Sequence, residues 1–169
     1  MSLVLDDTIV AISSGLAPAQ RAVLRVSGPS TRDILEHLAV PSVGVQELLR
    51  SRHAMCKPLR FHTGIAGGAD DTIAGHCYYW PDKRSFTGQP TAELHVLGSL
   101  PIAESLVEHI CTLGARPADR GEFTLRSFVA GKLDLPQAEA VLGVIEADTE
   151  EDLHTALAQL GGNLSEPIR

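Results

Sequence analysis

Residues Arg120–Val141 read RGEFTLRSFVAGKLDLPQAEAV, and this stretch divides the chain. It packs two aromatics, three basic residues and three acids around a Gly-Lys pair. Upstream, strand-like and helix-like segments alternate. Downstream nothing has the period-2 pattern of a strand. Asp134 is placed to cap a helix, with Pro136 in its first turn and Gln137 at the third position of a capping box. Thr124 is read as the cap of a short helix running to Ala130, and Gly131 ends it. The expected division is an α+β domain over 1–130 and the first helices of an all-α domain over 131–169.

Working back from that stretch, Ser99–Leu113 has the clearest helical pattern. Ile102, Leu106, Ile110 and Leu113 recur every three or four residues, and Gly114 follows as a stop. Thr91–Leu97 alternates: Ala92, Leu94 and Val96 on one side, Glu93, His95 and Leu97 on the other. Thr72–Trp80 is rich in β formers, and Thr63–Asp71 is the loop before it. Arg52–His62 is a further candidate strand. Thr8–Ile12 and Ala22–Val26 are two short β-branched or apolar strands. Ser30 or Thr31 caps a helix through Leu38, and Pro41 stops it. Val45–Arg50 is a short helical turn. At the far end, Asp148-x-x-Glu151 is read as a cap for a helix to about Leu160. Two helices and a short tail cannot bury an apolar stripe on both sides. The expectation is that the chain is part of something longer or packs onto a partner.

Composition is that of an ordinary globular protein: 169 residues, 44% apolar and 21% charged. A net charge of −7 argues against a primary nucleic-acid binder, which would carry a basic face. The three cysteines, an odd number with no CxxC, argue against a disulfide framework and for a reducing cytoplasm. The first residues, MSLVLDDTIVAI, lack the basic start of a signal peptide. No apolar run reaches the roughly 20 residues of a membrane span.

The search for chemistry is mostly negative. GxxxxGK[ST] and GxGxxG do not occur, so the chain has no phosphate cradle of its own and GTP hydrolysis by it is not expected. No metal-ligand spacing surrounds His76-Cys77, Cys56 or Cys111, which read as buried cysteines and surface histidines. No serine has a nucleophile context, and no catalytic residue is nominated. Three charges stand out: Arg25 and Glu93, each interrupting an apolar strand, and Lys132, at a Gly turn between helices. One reading is that Arg25 and Glu93 face solvent or pair with each other while Lys132 caps a helix end. The other is that all three converge on a ligand. A carboxylate can accept two hydrogen bonds from the amidine-like edge of a pterin, and Arg and Lys can hold carboxylates.

Four stretches resemble the N-terminal part of the tRNA-modification GTPases of the MnmE/TrmE type. They are Asp7–Ile12 (DTIVAI), Val23–Gly28 (VLRVSG), Ser85–Gly88 with Glu93-Leu94 (SFTG and EL), and Gly121–Val141. The last is close to the family form GEFT-x-RAF-x-N-G-KLDL-x-QAEAV. The resemblance implies a mixed sheet with flanking helices, similar to folate-binding aminomethyltransferase domains, that binds 5-formyltetrahydrofolate and forms a homodimer. A helical domain follows, into which the family inserts a G domain that this divergent chain lacks. It implies folate contacts at Arg25, Glu93 and Lys132. It also implies modification of a tRNA wobble uridine by the whole GTPase, a hydrolase, with a flavoprotein partner of the GidA/MnmG type. The family's Gly-rich first loop is replaced here by SSGLAPAQRAV (Ser13–Val23), and Gly88-Gln89-Pro90, Val96-Leu97-Gly98-Ser99 and Asp119-Arg120 also depart from its pattern. Those departures keep open the alternative of a degenerate paralogue acting as a dimerisation scaffold without folate, and the fold analogy alone leaves that of an independent folate-dependent one-carbon transferase.

Overall fold

The seven residues of β2 (Arg21–Ser27) and the seven of β5 (Thr91–Leu97) run antiparallel in unbroken register, from Arg21 opposite Leu97 to Ser27 opposite Thr91. Alternation along both strands puts Ala22, Leu24, Val26, Ala92, Leu94 and Val96 on one face, where all are buried. The computed structural model describes residues 6–15, 20–65, 71–147 and 149–160.

Around this ladder a six-stranded sheet is built in the order β3-β4-β5-β2-β1-β6. β1 (Ile9–Ile12) flanks β2, and the two-residue β6 (Arg116–Pro117) lies parallel to β1. On the other side β4 (Thr72–Trp80) flanks β5, and β3 (Met55–His62) forms the edge. One parallel pairing among antiparallel ones makes the sheet mixed. Pro58 in β3 is tolerated because an edge strand has one unpaired side. Part of that side is occupied: Val40 donates its N–H to the Arg60 carbonyl at 2.8 Å. The strands expected at 72–80 and 91–97 are found with those bounds.

Three helices cover the apolar face: α1 (Thr31–Leu38), α2 (Val43–Arg50) and α3 (Leu100–Thr112). Their inward stripes, among them Ile34, Leu35, Leu38, Leu48, Leu106 and Ile110, are at most 1% exposed and pack on Leu24, Phe61, Leu94 and their neighbours. Removing one such side chain, as in Leu106→Ala, costs about 2–5 kcal/mol. Ser30 stands at the N-cap of α1, but its hydroxyl makes no cap bond. Thr31 stabilises this turn instead, donating its hydroxyl to the carbonyls of Gly28 (2.8 Å) and Pro90 (3.1 Å).

The chain separates into two compact units, Met1–Ser85 with Gln89–Ala118, and Phe86–Gly88 with Asp119–Arg169. The second contains α4 (Glu122–Val129), α5 (Leu135–Glu146) and α6 (Glu150–Leu160). The capping box read at Asp134 is present: Gln137 N–H reaches Asp134 Oδ1 at 2.8 Å, and Asp134 N–H reaches Gln137 Oε1 at 3.0 Å. Thr124 is not a cap. α4 starts three residues earlier because Gly121, at φ 76°, takes the N-cap position in a left-handed conformation that suits glycine. Glu122 then reaches back, accepting the Asp119 N–H at Oε2 (2.8 Å). Asp148, read as the cap of α6, lies outside the described residues. Thr149 serves that helix, its hydroxyl accepting the Asp152 N–H at 3.1 Å.

α4 also holds an ion pair that the fold has almost sealed from water. Arg126 NH2 lies 2.8 Å from Glu122 Oε1, with side chains 2% and 9% exposed. The i,i+4 spacing brings them together. Because the pair is buried, Arg126→Ala should lower the unfolding free energy by about 3–5 kcal/mol in a denaturant titration. Exposure separates the three thiols too. Cys56 is exposed rather than buried, Cys111 is half-buried and Cys77 is fully buried, where loss of solvation pushes its thiol far up. In the native protein a thiol alkylating reagent followed by mass spectrometry should modify Cys56 first and leave Cys77 untouched until unfolding.

Candidate ligand-binding site

The face of the sheet opposite α1–α3 is polar and aromatic. Register orders it into rows that cross the strands. One row runs Cys56, Tyr78, Glu93, Arg25 across β3, β4, β5 and β2. The next runs Pro58, His76, His95, Val23. Arg25 and Glu93 are therefore directly opposed, each on the solvent side of a strand whose other side is core.

They form an ion pair. Arg25 Nε donates to Glu93 Oε1 at 2.9 Å, and Arg25 NH2 lies 2.8 Å from the same oxygen. The two side chains are 29% and 21% exposed. The second oxygen, Oε2, faces His95 Nε2 at 3.5 Å. A carboxylate has about four acceptor positions, so Oε2 retains acceptor capacity toward a ligand lying on this face.

Aromatic rings flank that carboxylate. Tyr78 and His95 have ring centroids 4.7 Å apart, and Tyr78 stacks on Trp80 at 6.4 Å and 20°. The Tyr78 hydroxyl is pushed up from the ordinary phenol range, first by hydrogen bonding with Cys56 and then by its charge. The phenol thus remains a neutral donor at physiological pH. The Tyr78 and His95 rings are inclined by 50° to each other, so together they offer aromatic edges and faces beside a carboxylate acceptor. Period 2 already put His95 beside Glu93. Tyr78 and Trp80 were not singled out, because only the β4–β5 register brings them there.

Lys132 belongs to the second unit. It follows Gly131, at φ 69°, and its N–H donates to the Ser127 carbonyl at 2.9 Å. Its side chain is exposed and passes the 86–88 loop, where Cε is 4.0 Å from the position a Cβ on Gly88 would take. Arg25 and Glu93 are thus brought together by one ladder, while Lys132 is set by a separate helix end. Of the two sequence readings of Arg25 and Glu93, mutual pairing is what the fold displays, and that pairing is compatible with a ligand on Oε2.

Among the described residues, no group of three His, Cys, Asp or Glu side chains is arranged to hold a metal. No described helix is long and apolar enough to cross a membrane.

Comparison with known proteins bears on this arrangement. The family described as GTP-binding protein TrmE N-terminus matches residues 8–132, a span that includes Arg25, Glu93 and Lys132. The protein named tRNA modification GTPase MnmE from Rhodopirellula baltica is 45% identical over 165 residues, covering 97% of this chain and 34% of that protein. Proteins of the same name from Phenylobacterium zucineum and Granulibacter bethesdensis are 39% and 38% identical, each over 96% of this chain and 34% of their own length. The chain therefore spans about a third of the relatives it matches. With the matched segment running from β1 through all six strands to the turn at Lys132, the chain belongs to the TrmE N-terminal family.

Proposed function

We propose that this chain is the folate-binding and dimerisation module of a cytoplasmic tRNA-modification GTPase. The observation that carries the reading is Glu93: an ionised carboxylate on the open sheet face, held by Arg25 and bordered by Tyr78 and His95. The ligand is a tetrahydrofolate derivative, 5-formyltetrahydrofolate, which supplies a one-carbon unit when bound. Glu93 Oε2 accepts hydrogen bonds from the N–C–NH2 edge of the pterin, and Arg25 holds Glu93 in orientation. The Tyr78 and His95 rings support the flat ring system. Lys132 adds a cation for the ligand's carboxylates. The residues fit the group, because the face combines a carboxylate acceptor with neighbouring aromatic rings.

Family membership supports the rest of the proposal. The relatives carry GTPase and tRNA modification in their names, and those activities are assigned here to the whole proteins, of which this chain matches about a third. A flavoprotein of the GidA/MnmG type and tRNA are the partners of that larger enzyme. α5 and α6 are the start of its helical domain. A second copy of the chain is the partner of this module.

Calorimetric titration with 5-formyltetrahydrofolate tests the reading. Binding at micromolar concentration is expected, and Glu93→Ala should weaken it by about ten- to a hundredfold, the worth of one charge-assisted hydrogen bond. Trp80 is the sole tryptophan, so quenching of its emission gives a second readout. No binding at millimolar ligand by a folded dimer would remove the folate and leave the scaffold alternative standing. A monomer in sedimentation at high protein concentration would remove the dimer.

A further inference from the structure

The corner where β3 begins and β4 ends is basic, in a chain that is acidic overall. Met55 pairs with Tyr79, so the residues just before β3 and just after β4 are neighbours. Arg84 fastens the two segments: its NH2 donates to the Arg52 carbonyl at 2.8 Å and lies 3.3 Å from His53 Nδ1. Residues 50–53 and 81–84 carry four of the chain's 14 Lys and Arg but one of its 21 acids, a net of +3 against −10 for all other residues. α1 adds Arg32, whose NH1 donates to the Leu49 carbonyl, with Asp33 next to it in the chain, so the balance is unchanged.

The positive charge of this corner is open to a partner. Arg50 is the last residue of α2, Arg52 and Lys83 stand in the two connecting segments, and all three are exposed. None of the three forms an ion pair among the described residues. The one acid, Asp82, is engaged by Arg84: Nε and NH2 lie 2.9 and 2.6 Å from Oδ2, and the Arg84 N–H reaches Oδ1 at 2.9 Å. Ser51, Arg52, His53, Pro81, Asp82 and Arg84 line an open notch of about 600 Å³. No exposed large apolar side chain falls within 50–54 or 81–84 among the described residues. Protein interfaces keep aromatic or aliphatic anchors at their centre and leave charge to the rim. A patch with charge at its centre and no such anchor matches a polyanion instead, and unpaired Arg forks match phosphate.

We infer that this corner is a contact for the phosphate backbone of an RNA strand, through which the tRNA of the larger enzyme rests on this module. The inference rests on the tRNA-modification reading above. Phosphate contacts position a nucleic acid without reading its sequence, so the corner holds different tRNAs alike and leaves the choice of nucleotide to other parts of the enzyme. Three unpaired cations suffice for about three phosphates. The net charge of −7 keeps this an auxiliary hold, in line with a chain that is not a primary nucleic-acid binder.

The test is fluorescence anisotropy of a fluorescein-labelled, unmodified tRNA transcript titrated with the full chain. At low salt a dissociation constant of about 10–100 µM is expected, with a slope of log affinity against log salt of about −2 to −3. In the double variant Arg52→Ala/Lys83→Ala binding should weaken at least about tenfold, and the slope should flatten by about two. Arg60→Ala removes an exposed cation at the other end of β3, bonded there to Thr72, and should change binding less than about twofold. Circular dichroism confirms that each variant is folded. Polyglutamate should displace the tRNA only in severalfold excess of charge. Half-displacement at equal charge overturns RNA in favour of an acidic protein segment. Binding that is unchanged in the double variant overturns the corner while tRNA remains a partner of the module. No binding by the unaltered chain at about 1 mM protein overturns the corner and that partnership together.

Discussion

The β2–β5 ladder is the constraint from which the rest of the first unit follows. Its period of two allows one residue in each pair of neighbours to be apolar and buried, and obliges the other to face away. A slip of one residue would send Arg25, Glu93 and His95 into the core and Leu24 and Leu94 into water. Burial of Leu24, Val26, Ala92 and Leu94 under α1–α3 therefore sets the register, and the register sets the polar face. The opposition of Arg25 and Glu93 is thus a consequence of hydrophobic burial on the reverse side. The exposed ion pair adds about 1 kcal/mol or less of its own.

That asymmetry bears on why a charge pair stands there. Two half-exposed charges gain little from each other in stability, and β-branched or aromatic residues would suit a central strand pair better. A central ladder that carries Arg opposite Glu forgoes cross-strand packing on its open face. Tyr78, His95 and Trp80 in neighbouring positions add aromatic rings to the carboxylate on that face.

Most of this order was legible in the residues. Alternation over Thr91–Leu97 and β-former density over Thr72–Trp80 gave both strands with their bounds, since neither stretch has a competing helical period. The Asp134–Gln137 box was legible because both halves of a cap lie in one short window. Thr124 misled for the converse reason. A hydroxyl is a common cap, but here the competing arrangement is a glycine in the left-handed region followed by a Glu that bonds backwards. Arg25, Glu93 and Lys132 were legible as charges in unusual places. The rows they belong to were not, because rows depend on strand order, and β3-β4-β5-β2-β1-β6 is not a sequential order.

The helical unit follows a different balance of forces. α5 begins with a complete capping box and packs along α6, where Gly143 and Ala156 permit close approach. Among the described residues of these two helices, the buried side chains are small, Ala140 and Ala156. Meanwhile Leu135, Leu142, Ile145 and Leu157 are about half exposed or more. A groove of about 640 Å³ lined by Leu125, Phe128, Leu135, Leu142 and Ile145 runs along this side. Local signals suffice to start and stop these helices, but helices of 8, 11 and 12 residues draw most of their stability from tertiary burial rather than propensity. The buried Glu122–Arg126 pair helps little in that respect, because an ion pair out of water repays its desolvation only in part. The apolar side of this unit is consequently where additional packing would stabilise it most. The first unit has no such need, its core being closed by α1–α3 over a continuous sheet.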